Sequence, residues 1–277
     1  MSYTDRVQPF VSERPLPISG LSGNKKAMMN DPLSLKLSPG AIDMAKLLAL
    51  LAMIIDHANT IFLSPSRPEL FAFGRMAFPL FALIWALNLH RQPSRLQARA
   101  NRLWIWSFIT QPVFWLAFRE IHYGYALNIL FVFAGVTQLF AWAYRYQQRG
   151  VAAGTVLLCL LVWPLNFASY GPQGIILTLS LAVLFSPELR RWRALGLAGA
   201  IVALLMLNGM YRVAQQPLDT LTYYILPTLV LPFAGLYLAA RLRPEGSPRF
   251  LPRQFFYYAY AGHLLMYGVL LTILTKA

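Results

Sequence analysis

One recurrence constrains this chain more than any other feature. From residue 41 to the C-terminus, apolar runs of about 15 to 22 residues follow one another, each long enough as a helix to cross a hydrocarbon layer of roughly 30 Å. About nine are read, at roughly 42–63, 70–89, 102–118, 125–144, 151–167, 171–186, 194–211, 221–240 and 255–274. The fifth and sixth are short and are separated only by the stretch NFASYG. With 57% hydrophobic and 12% charged residues and a mean hydropathy of +0.50, the chain lacks the polar material to clothe a soluble globule. The expected fold class is therefore all-α, a polytopic membrane bundle in the inner (cytoplasmic) membrane, preceded by a polar, disordered cytoplasmic tail over 1–40. A transmembrane domain then occupies 41–277.

The formal charge of +14 does not point to nucleic acid, because the basic residues lie in short clusters between apolar runs rather than on one soluble domain. They report orientation instead. With the N-terminus inside, most of the 24 Lys and Arg fall on the cytoplasmic side: the tail, Arg91 to Arg102, Arg145 and Arg149, Arg190 to Arg193, and Arg241 to Arg253. The lone Cys159 can form no internal disulfide. The tail lacks the apolar core of a cleavable signal peptide, and no metal-ligand spacing occurs anywhere.

Ionisable side chains at membrane depth are costly, which makes them the first candidates for function. Asp56 and His57 stand in MIIDHANTIF; Asp56 lies about 20 Å along the first helix from Asp43, in the outer half. Adjacent helical residues diverge by about 100°, so the two do not form a dyad merely by being neighbours. Arg75, in FGRMAFPLF, lies near the outer interface as a partner for Asp56 or for an anionic group, and Pro79 leaves the carbonyl of Arg75 without its usual donor. Gln111, Asn128 and Tyr170 of YGPQG add polar groups, each of which also has an ordinary structural use as a cap, a helix–helix hydrogen bond or a turn. His263, in YYAYAGHLLMY, lies about 15 Å beyond Arg253 and needs a polar neighbour at that depth. Packing of the two terminal helices against each other would bring His57 and His263 into one cavity, and the sequence does not say whether they meet.

Taken in order, Asp43 with Lys46, Asp56-His57, Gly74-Arg75 through Phe81, Arg102-Leu103 with Gln111-Pro112, Leu127 to Leu130, Tyr170 to Gly174 and Tyr260 to Leu264 resemble the TraX family of membrane proteins. The likeness spans roughly residues 41 to 270; it departs at Ala261, where the family's late motif usually has proline. The resemblance implies an acyltransferase that N-acetylates the N-terminus of conjugative pilin, with acetyl-CoA as co-substrate. Thioester aminolysis needs a base and donors for the developing oxyanion. His57 is expected to be the base, with His263 the alternative. Asp56 then orients a histidine or binds the ammonium, Arg75 and Asn128 stabilise negative charge, and Gln111 and Tyr170 contact substrate. Arg99 and Arg102 hold the coenzyme phosphates. Rival readings are an acyltransferase acting on a sugar or another amine, a proton-coupled transporter, and a structural partner of the conjugation machinery.

Overall fold

The computed structural model describes residues 37–122, 124–168, 170–207 and 213–276; the tail expected over 1–40 lies outside them up to residue 36. The described residues form helices joined by turns and loops, with no strand among them. Helix α1 spans Pro39–Phe62 and begins three residues before the expected run, because Ser38 accepts a hydrogen bond from Ala41 N and Pro39 occupies the first helical position. Then come α2 (Pro68–Gly74), α3 (Ala77–Leu89), α4 (Leu96–Phe118), α5 (Leu130–Leu165), α6 (Gly171–Leu184), α7 (Arg193–Leu207), α8 (Leu226–Leu242) and α9 (Phe255–Leu274). The chain enters α8 through Pro217–Asp219 and a π-turn, Thr220–Ile225. Among the described residues, four stretches are long and apolar enough to cross a membrane: Pro68–Leu89, Leu130–Leu165, Pro217–Leu242 and Phe255–Leu274. Helix α1 is not among them and carries Asp43, Lys46 and Asp56. Helix α6 falls short on length.

Helix α5 is not one straight rod. At Gln147 the backbone takes φ 51° and ψ −128°, and the chain reverses into a hairpin of two arms, 130–146 and 148–165. Glycines let the arms touch. Gly135 faces Leu158 and Leu161, Gly154 faces Leu139, and Gly150 lies against the Trp142 backbone. The expected fourth and fifth runs therefore appear as these arms, although the first arm starts at Leu130 rather than 125 because Asn128 caps it.

Helix α1 lies at the centre. It packs against α2, α3, α8 and α9, and α4 packs against both α5 and α9. Ala45, Ala49 and Ala52 recur at helical spacing on its buried face, so neighbouring backbones approach closely. The ends of the elements sort into two groups. At one end, Gly40 N donates to Ser247 O (3.1 Å), Ser38 Oγ to Arg243 O (2.9 Å) and Arg99 Nη1 to Asn88 O (2.7 Å). At the other, Asn59 holds Arg67, Leu127 N donates to Pro164 O, and Arg119 reaches Thr272. The first end carries the arginine clusters and is called the basic end below; the second is the far end.

Candidate active site

Because α1 runs between α3 and α9, two ionisable pairs form where sequence neighbours alone form none. Asp56 points to the chain break between α2 and α3, where Arg75 Nη2 donates to Oδ1 (3.2 Å) and Oδ2 (3.0 Å). Gly74 makes this approach feasible, since a Cβ there would overlap the Asp56 carboxyl. The break itself follows from Pro79, which cannot donate to the carbonyl of Arg75. The guanidinium carbon sits 4.0 Å over the Phe71 ring and 5.6 Å over the Tyr170 ring, so two aromatic faces fix its plane. Arg75 Nε, buried, has no hydrogen-bond partner.

His57 turns the other way. Its Nδ1 lies 2.9 Å from Nε2 of His263, and Nδ1 of His263 lies 3.0 Å from the carbonyl of Ala259. A carbonyl only accepts, so His263 Nδ1 carries a proton. In neutral His263, Nε2 is then the lone-pair nitrogen and His57 Nδ1 must donate to it. The chain of bonds thus leaves the lone pair of a neutral His57 on Nε2. The two rings lie edge to edge and nearly parallel (16°), with centroids 5.2 Å apart, and Phe118 meets His57 edge-on at 5.0 Å.

Asp56, His57 and Arg75 line a cavity of about 290 Å³ whose remaining wall is largely aromatic: Phe71, Phe78, Phe81, Phe114, Phe118 and Phe133. Exposed Thr60 and the loop residues His122 and Ala168 also line it, so it reaches the surface at the far end. Tyr170 belongs to this wall; with φ 62° it caps α6, and its ring stacks on Phe78 at 4.9 Å. His263, only 6% exposed, stands behind His57 and outside the lining.

Other expected site residues lie elsewhere. Asn128 is fully buried, and Gln111 and Asn128 close on each other: Asn128 N and Nδ2 both donate to Gln111 Oε1 (3.1 and 2.8 Å), and Nδ2 also donates to Ser107 O. Gln111 Nε2 donates to Ala126 O, and Asn128 Oδ1 accepts from Leu130 N to start α5. Neither lines the cavity. Arg99 caps the last carbonyls of α3 at Asn88 and Leu89, whereas Arg102 is exposed; both stand at the basic end. His122, Tyr260 and Thr60 line the cavity without having been singled out as site residues. Tyr260 had a usable signal, one turn before His263. His122 sat in a loop between two apolar runs and gave none. Among the described residues no cluster of three metal-ligating side chains occurs.

A family model described as "TraX protein" matches residues 41–271. Protein TraX of Escherichia coli is 36% identical over 234 residues, which cover 84% of this chain and 88% of that protein; Protein TraX of strain K12 is 35% identical over the same shares. No solved structure matches the chain.

Proposed function

The chain belongs to the TraX family, and with that as premise we propose that it is a membrane acyltransferase which transfers acetyl from acetyl-coenzyme A to the N-terminal amine of conjugative pilin. The observation that carries this reading is the His57–His263 pair beside Arg75 on an aromatic cavity. His57 Nε2 takes the proton of the attacking amine as nitrogen bonds to the thioester carbonyl. The imidazolium so formed keeps its Nδ1–H on His263 Nε2, and the Ala259 carbonyl prevents the pair from exchanging tautomers. Arg75, with Nε–H unpartnered, supplies the donor for the oxyanion, and Asp56 holds its guanidinium in place. Collapse breaks the C–S bond, and His57 returns its proton to the sulfur.

The cavity, at about 290 Å³, lies at the small end of ordinary ligand sites. It suits the acetyl end of the donor and a chain terminus, not a whole coenzyme. We assign the coenzyme's phosphates to the basic end, where Arg102 and Arg99 stand; Phe114 on the cavity wall lies about 18 Å farther along α4 than Arg102. The donor's arm spans that distance. The clustering of arginines at one end supports a bundle of about nine crossings with a cytoplasmic N-terminus, so that acetyl passes inward-to-outward to an acceptor at the far end. A proton-transport reading is disfavoured by the geometry, because a relay ending on a backbone carbonyl cannot hand the proton on.

The test is the intact mass of pilin from cells carrying wild-type protein or His57→Ala. Loss of one acetyl mass in the variant is expected; unacetylated pilin in both would sink the pilin acceptor.

A further inference from the structure

The proposed transfer needs two proton acceptors, and the dyad provides one. An α-amine with a pKa of about 7.7–8.0 reaches a neutral site mainly as the ammonium, which has no lone pair. In full, R–NH₃⁺ and CH₃CO–SR′ give R–NH–COCH₃, R′–SH and H⁺. The C–N bond forms, the C–S bond breaks, one proton ends on sulfur and one leaves. His57 Nε2 carries the proton that goes to sulfur. The other must be taken before attack.

His122 is placed to take it. It follows α4 at the far end, half-buried, and lines the same cavity as His57. Its N–H donates to Phe118 O (2.8 Å), which folds the turn back over the cavity. Its ring lies 5.3 Å from Phe118 and stacks on Phe114 at 6.1 Å, and Phe118 in turn meets His57. The two histidines thus share a cavity with a phenyl ring between them. Among the described residues no hydrogen bond engages the His122 ring nitrogens, so they remain available to a ligand.

We propose that His122 accepts the first proton from the acceptor ammonium, holds it through acyl transfer and releases it to water at the cavity mouth. This rests on the acetyl-transfer reading above. The other groups facing the cavity are unsuited: Asp56 is held by Arg75, Arg75 is already cationic, and Tyr170 and Tyr260 are phenols that keep their proton near pH 7. On its own segment Arg119 is turned to Glu120 and Thr272. Burial pushes the His122 imidazole below its ordinary value, so it meets the ammonium neutral.

A proton retained in the transition state leaves a kinetic signature. With the protein in nanodiscs, acetyl-coenzyme A and a peptide bearing the acceptor N-terminus, kcat/KM of the wild type should stay level as pH falls below the amine pKa, until the histidines themselves protonate. In His122→Gln the reactive complex holds one proton fewer than the free reactants, so kcat/KM should fall about tenfold per pH unit over that range. Relative to its own value at pH 9, His122→Gln should therefore have lost about 20-fold at pH 6.5 for an amine near 7.8, a larger loss than the wild type shows over the same range. Added imidazole should restore the low-pH rate of His122→Asn. A His122→Gln profile parallel to wild type overturns the proposal and leaves acetyl transfer standing. So does loss of activity at every pH in both variants with unchanged melting temperature. Absence of transfer by the wild type at any pH overturns both.

Discussion

On the acetylase reading two side-chain pairs carry the chemistry, and each makes its own demand on substitution. His263→Phe keeps an aromatic ring, a larger one, but removes the acceptor for His57 Nδ1–H, so the lone pair is no longer held on Nε2. The expected loss in kcat is about 10–100-fold, against about 10²–10⁴-fold for His57→Gln, with little change in KM for either. Steady-state kinetics in detergent distinguish them; equal losses would make His263 a base in its own right. Arg75→Lys keeps a cation near Asp56 but loses Nε–H and the flat contact with Phe71. Removing one oxyanion donor costs about 10²–10³-fold in kcat. A lysine variant with wild-type kcat would remove Arg75 from the transition state. Gly74→Ala forces the same break from the other side, because its methyl group displaces Asp56.

At the scale of elements, the α5 hairpin gives two opposite predictions. Gly154→Val drives methyl groups into Leu139, already 2.8 Å from an ideal Cβ, and should cost about 1–3 kcal/mol of stability by overpacking. Gln147→Gly relieves a left-handed conformation that only glycine adopts readily, and should raise stability by about 1 kcal/mol. Thermal melts in one detergent compare both with wild type. The hairpin also shows what was legible. Its apolar arms were readable as separate runs, and Asp56, His57, Arg75 and His263 were readable as ionisable groups that needed company at depth. Their pairing was not, since whether Asp56 faces Arg75 or a histidine depends on which side of α1 each neighbour packs. Gln111 and Asn128 look like site residues for the same reason that they make a cap: an amide serves either purpose, and only the nearby carbonyls of Ser107 and Ala126 decide. His122 went unnoticed because a loop histidine carries no periodic signal.

For the whole molecule, the two ends should meet different compartments. In a Cys159→Ser background, a cysteine at Thr60 should react with an impermeant thiol reagent in spheroplasts, and one at Arg145 only after the membrane is opened. The reverse pattern would invert the proposed direction of transfer. Cys159 itself is exposed on α5, so its replacement leaves the cavity untouched. The dimensions of the cavity also bear on timing. Its walls leave room for the acetyl end of a donor and a chain end and no more, and Thr60, His122 and Ala168 line its surface side. An amine on the surface of a folded assembly cannot be lowered past those residues to Nε2 of His57. On the acetylase reading, modification therefore belongs to the free subunit, and a terminus that has already been packed into a filament has missed its chance.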